Sequence, residues 1–360
     1  MSFSTSGVRD VVGLPISTDR LDFFSDADPT NGYVNYVSKS DSQSLGLASK
    51  LQDGSFIMRA DAENRSVGRG RNSVRISSKA SFGDGVYILD MNHMPVGCGT
   101  WPAWWTVVKN GWPKGGEIDI IEGANAYPSL NSASYNATSS VGLKTPVAGC
   151  NLDPNAYMTG TVGSTTCSAY QNGNTGCGAY LGGKSTYGTT SFGSGVNEAG
   201  GGWFAMWRDI EASGGVYVYY WPRNASNVPD DVRYPNTSTT NVANWGQPGA
   251  NLSVPTCKND FGNHVIVFNL AFCGDYAGNT YAQSGCPQVC SSFVQNYPEA
   301  FGEAYWSINS LRVYTTSGKP ASGGSGLSGG AIAGIVVGVI VALGLAAFAF
   351  WRWKRSRRAK

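Results

Sequence analysis

The chain has 360 residues, 26 basic and 24 acidic, with a formal net charge of +2, and its globular part carries no basic patch of the kind nucleic acid requires. Its 48 glycines and 14% charged residues suit many strands joined by tight turns. The last forty or so residues are not globular, which leaves roughly 315 for one large all-β domain.

The chain opens on Met1-Ser2-Phe3-Ser4-Thr5-Ser6, a polar start without the apolar run of a signal peptide. Cysteines and glycosylation triplets further along point to the secretory route. The true start is therefore expected to lie upstream of Met1.

Gly115-Gly116-Glu117-Ile118-Asp119-Ile120-Ile121-Glu122-Gly123 is the most informative run. Its isoleucines make a strand. A strand facing a packed core does not carry three carboxylates, because burying charge is expensive. A solvated strand face or a Ca²⁺ site would account for them, as would a cleft where two carboxylates flank a glycosidic bond as acid and nucleophile. Side chains alternate along a strand, so Glu117 and Asp119 share a face. Glu122, at an odd offset from Glu117, would point the other way. One extra residue, a bulge at Ile120-Ile121, returns it. The two Glu Cα atoms then lie about 13 Å apart, at roughly 3.3 Å per residue. Side chains leaning together would reach the roughly 5–5.5 Å carboxyl separation of a retaining glycosidase.

Gly-Glu-Ile-Asp-Ile-Ile-Glu-Gly resembles the active-site motif of glycoside hydrolase family 16, in particular the fungal laminarinase-like endo-1,3(4)-β-glucanases. The resemblance runs through Asp28-Pro29-Thr30-Asn31-Gly32-Tyr33-Val34, Gly70-Arg71-Asn72-Ser73-Val74-Arg75-Ile76 and Tyr87-Ile88-Leu89-Asp90-Met91-Asn92-His93-Met94-Pro95. It continues through Gly97-Cys98-Gly99-Thr100-Trp101-Pro102-Ala103-Trp104-Trp105, Asn269-Leu270-Ala271-Phe272-Cys273-Gly274-Asp275 and the stretch from Tyr305 to Tyr314. It implies an all-β fold, a jelly-roll β-sandwich of two curved antiparallel sheets, over residues 1–317. By the same resemblance Glu117 is the nucleophile, Glu122 the general acid/base, and Asp119 tunes the pair from between them. The implied reaction is retaining hydrolysis of internal β-1,3 or mixed β-1,3/1,4 linkages in β-glucan, without a cofactor or metal. A cell-wall glucan transglycosylase would use the same carboxylates. A non-catalytic glucan-binding protein is the other alternative.

Two departures from the family pattern bear on substrate preference. Such enzymes usually follow the motif with a strand carrying Thr-x-His-Thr, where this chain reads Ser134-Tyr135-Asn136-Ala137-Thr138. Where they often read Ala-Met-Glu-Trp-Thr, it has Ala205-Met206-Trp207-Arg208-Asp209. Among 11 tryptophans, Trp104, Trp105 and Trp112 precede the acidic strand and are the candidates to stack on pyranose rings, with a core role equally open for each.

Eight cysteines (Cys98, Cys150, Cys167, Cys177, Cys257, Cys273, Cys286 and Cys290) read as disulfides whose pairing stays open. With only His93 and His264 beside them, zinc is not expected. Triplets at Asn64, Asn136, Asn224, Asn236 and Asn251 are N-glycosylation acceptors. A Gly/Ser-rich linker spans 318–330. The apolar run Ala331–Trp351 follows, long enough to cross a bilayer at about 31 Å. Trp351 and Trp353 sit where interfacial aromatics belong, and Arg352 to Lys360 form a basic cytoplasmic tail. The domain is thus expected outside the cell, on a plasma-membrane helix. Gly330, Gly334 and Gly338 make overlapping GxxxG patterns that fit a weak helix-mediated homodimer.

Overall fold

Along Gly85–His93, Tyr87, Leu89 and Met91 enter one apolar cluster while Val86 and Ile88 enter another, so period-two alternation buries both faces of that strand. The computed structural model to which this strand belongs describes residues 18–125, 140–181 and 191–315. Met1–Ser6, the Ser134–Thr138 run, the linker, the apolar run Ala331–Trp351 and the basic tail lie outside the described residues. Among those described, no helix is long and apolar enough to cross a membrane.

Two antiparallel sheets face each other. The eight-stranded sheet runs in the order Leu21–Phe23, Arg75–Ser78, His264–Phe272, Thr100–Val108, Glu117–Glu122, Ser140–Lys144, Cys177–Tyr180, Thr161–Ser164. The seven-stranded sheet runs Ala250–Ser253, Gly215–Pro222, Gly202–Asp209, Gly85–His93, Tyr305–Tyr314, Phe56–Arg59, Ala48–Lys50. Crossovers join strands far apart in sequence: His264–Phe272 lies between Arg75–Ser78 and Thr100–Val108, and Gly85–His93 lies between Gly202–Asp209 and Tyr305–Tyr314. This is the crossover pattern of a jelly-roll sandwich rather than a meander. The main core lies between the sheets, where Ile118, Phe268 and Trp104 of one meet Leu89, Phe204 and Ile308 of the other.

A second layer covers the outer face of the seven-stranded sheet. Trp203, Trp221 and Tyr219 pack there against Val232, Val242 and Trp245 from the segment that follows Pro222. Trp245 meets Tyr219 and Trp221 edge-to-face, at 5.2 and 5.7 Å. Arg312, buried on the same face, pins the segment by donating to the carbonyls of Asp231, Val232 and Tyr234.

All eight cysteines are paired: Cys98–Cys286, Cys150–Cys257, Cys167–Cys177 and Cys273–Cys290. The closely spaced Cys286 and Cys290 are bonded to other partners, not to each other. The Ala205–Asp209 departure belongs to the seven-stranded sheet, away from the acidic strand. Met206 is core, Trp207 stacks on Tyr217, and the buried Arg208 pairs with Asp84 at 3.2 Å.

Candidate active site

The acidic strand begins where the chain cannot carry a side chain. Gly116 has φ +79°, and a Cβ there would sit 2.4 Å from the Phe261 ring. From that turn Glu117–Glu122 pairs on one side with Thr100–Val108 and on the other with Ser140–Lys144. Glu117 lies opposite Val107, Asp119 opposite Trp105 and Glu122 opposite Ala103. Between Asp119 and Ile121 the register slips by one residue against both neighbours. This is the bulge the carboxylate spacing requires. Glu117, Asp119 and Glu122 therefore share the face turned away from the core. Ile118, Ile120 and Ile121 are all buried in the main core; alternation alone would have placed only one of the last two there.

Glu117 and Asp119 are buried acids, 8% and 4% exposed, and what makes this tolerable is Lys144. Its ammonium donates to Glu117 Oε1 at 2.6 Å and to Asp119 Oδ2 at 3.0 Å. Burial works against the charge on Lys144, but Asp119, Glu117 and then Glu122 outweigh it and hold the ammonium well above the usual lysine range. Burial also pushes the Asp119 carboxyl well above the carboxylate range, against the pull of Lys144, with Glu117 and Glu122 pushing the same way. Among the described residues, Lys144 is thus the cation that these acids face.

Lys144 was not singled out by sequence reasoning. The strand paired with the acidic one is Ser140–Lys144, and its Lys144 lies opposite Glu117. The Ser134–Thr138 run assigned to that role lies outside the described residues. A lone lysine in the Val141-Gly142-Leu143-Lys144 stretch is the only local trace of it, and nothing local ties that lysine to Glu117.

Glu122, half-buried, accepts from Trp101 Nε1 at 2.9 Å. Trp101 meets Tyr276 edge-to-face at 5.6 Å, in the turn Gly274–Gly278 next to the Cys273–Cys290 disulfide. Burial pushes the Tyr276 hydroxyl up, and Glu122 adds to the shift. Just past the strand, buried Asn125 accepts from Gly99 N and donates to Ala277 O and Thr280 Oγ1, tying the exit of the acidic strand to the same turn. At the other side of that turn Asn31 donates to Asp275, so two of the sequence blocks quoted above meet here. Neither Trp101 nor Tyr276 was singled out by sequence reasoning.

The three tryptophan candidates separate. Trp104 is a correction: it is 0% exposed, stacked on Phe268 at 5.9 Å within the main core, and cannot reach a sugar. Opposite pairing puts Trp105 on the carboxylate face, half-buried, with Nε1 donating to Asn269 Oδ1 at 2.7 Å and Arg75 over its ring at 5.0 Å. Trp112 is 44% exposed, in the turn that leads to Gly115.

A family model described as XgeA-like, catalytic GH16 domain, matches residues 21–314. A protein of Aspergillus fumigatus named probable endo-1,3(4)-beta-glucanase is 38% identical over 314 residues, 83% of this chain and 44% of that protein. The chain thus spans less than half the length of that curated relative. Laminarinase 16A from Phanerochaete chrysosporium, solved with β-glucans in donor and acceptor sites, superposes with a TM-score of 0.74. It is 38% identical, over 82% of this chain and 95% of that one. A structure titled as an elongating family 16 β-1,3-glucosyltransferase gives 0.71 at 35% identity, over the same shares of the two chains.

Proposed function

We propose, from the premise that this chain belongs to the XgeA-like catalytic domains of glycoside hydrolase family 16, that it is a glycosidase hydrolysing internal β-1,3 or mixed β-1,3/1,4 linkages of β-glucan with retention. The observation that carries this reading is the bulged strand. It sets Glu117, Asp119 and Glu122 on one face, with Lys144 on the first two and Trp101 on the third.

Glu117, paired with an ammonium, is the nucleophile, and a carboxylate oxygen attacks the anomeric carbon. The bond to the leaving oxygen breaks, its electron pair stays on that oxygen, and the proton comes from Glu122. Glu122 then takes a proton from water, whose oxygen attacks the same carbon and releases Glu117. Two displacements at one carbon restore its configuration. Asp119, on the same face between them, tunes the pair, and Trp105 and Trp112 are the aromatic surfaces left to the glucan.

The test is laminarin and lichenan incubated with the full chain in detergent, with the first-formed anomer read by NMR. Retained configuration is expected, with Glu117→Gln and Glu122→Gln each slowing turnover by about 10³-fold or more. An inverted product would remove Glu117 as nucleophile. The glucosyltransferase likeness favours one second reading, in which a sugar acceptor replaces water at the second step. Products longer than the starting glucan would establish it.

The apolar run Ala331–Trp351 anchors the chain in the plasma membrane in this reading, with 318–330 as linker and residues 1–317 outside the cell. Four disulfides accord with that side, as do the exposed acceptor asparagines Asn64, Asn224 and Asn236.

A further inference from the structure

We propose that Lys144 is a positioning residue for the carboxylate pair, its ammonium fixing Glu117 and Asp119 side by side and supplying positive charge to the acidic cluster. The inference deepens the glycosidase reading and rests on it. Geometry carries it: Lys144 reaches two acids at 2.6 and 3.0 Å, and its side chain is only 13% exposed. Stability alone is a poor reason for such an arrangement, since a buried ion pair is often no better than an apolar pair of the same volume.

The two-pronged contact matches the two chemical steps. When Glu117 Oε bonds the anomeric carbon, that carboxylate becomes a neutral ester and the ammonium loses an anionic partner. Asp119 remains at 3.0 Å to hold it, so the cation is still in place when Glu117 must leave as an anion. A charge that stays put through both steps has no reorganisation to make at either one. The groups facing it, among the described residues, are Glu117, Asp119 and Glu122 of the acidic strand. The strand on its other side, Cys177–Tyr180, carries no charge, and Tyr180 at the far end is its one titratable side chain. Gly176, before that strand, leaves room for the lysine stem, because a Cβ there would lie 2.8 Å from Lys144 Cγ.

The experiment compares the full chain with Lys144→Met and Lys144→His by two readouts. Carboxyl ¹³C NMR titration needs no substrate, and removing the cation should displace the titration of the acidic cluster to higher pH in Lys144→Met. On laminarin the same variant should lose about 10²-fold in kcat with KM within a few-fold, and both limbs of its pH profile should move to higher pH. A merely structural lysine would lower the amplitude and leave the limbs where they are. If Lys144→Met does not fold, Lys144→His serves, since an imidazole holds the charge only while protonated. Its activity relative to wild type should fall as pH rises, and a constant ratio overturns the proposal. Unmoved carboxyl titrations in Lys144→Met also overturn it. Wild-type chain inert on laminarin but showing the NMR displacement would sink the glycosidase reading and leave the placement of Lys144 standing.

Discussion

Trp104 and Trp105 are chain neighbours that point to opposite faces of one strand, so truncating each should do opposite things. Trp104→Ala empties a fully buried site against Phe268 and should cost about 3–5 kcal/mol of stability, with KM for laminarin little changed in the fraction that folds. Trp105→Ala should lose far less stability and raise KM several-fold, as expected of an aromatic on the carboxylate face. Urea midpoints and Michaelis constants on both variants decide it, and a reversed pattern would contradict the assignment of faces. A second residue sets acid tolerance. Burial, helped by Arg208, pulls the His264 imidazole down to about 3 although its ring bonds the Gly115 carbonyl at 2.6 Å. Below pH 6.5 the unfolded chain takes up a proton at this residue that the folded chain refuses until about pH 3. Stability is therefore lost as pH falls through that window, at up to about 1.4 kcal/mol per pH unit for this one group. Thermal unfolding at pH 7, 5 and 4 should show a shallower decline in His264→Gln than in wild type.

At the level of the strand, placement depends on Gly116. Gly116→Ala meets both an unfavourable positive φ and the Phe261 ring. It should lower stability by roughly 2–3 kcal/mol and cut activity by more than the stability loss explains, because Glu117 is the next residue. Wild-type activity in a folded Gly116→Ala would show that the turn does not set the nucleophile. The bulge beside it was legible in advance, because three carboxylates in an isoleucine strand leave no other way to keep charge out of the core. Trp104 was not, since two adjacent tryptophans say that one points inward but not which. Only the register, Trp105 opposite Asp119, decides. Lys144 was illegible for another reason: pairing joins it to Glu117 across 26 intervening residues, and local periodicity carries no information about such a distance.

For the whole molecule, composition and turn-rich patterning indicated an all-β chain, and disulfides were legible from number and setting. Their pairing was not, because Cys98–Cys286 closes over a sequence separation of 188 that only the completed topology specifies. The membrane anchor proposed for Ala331–Trp351 makes a prediction on the same scale. In intact cells an epitope placed after Lys360 should resist external protease, while one in the catalytic domain is cleaved or accessible to antibody. Reactivity of the C-terminal epitope from outside would reverse the proposed orientation.

The layer packed on the outside of the seven-stranded sheet leaves Gly85–His93, Gly202–Asp209 and Gly215–Pro222 without a free side. In the eight-stranded sheet the face turned away from the core is the one with the carboxylates. A saturation library scored for both yield and catalysis should therefore divide by sheet. In the three doubly covered strands, odd and even positions should be equally intolerant of polar replacements, and every loss should register as yield. In the acidic strand and its neighbours the parities should part, one controlling how much protein is made and the other what that protein can do.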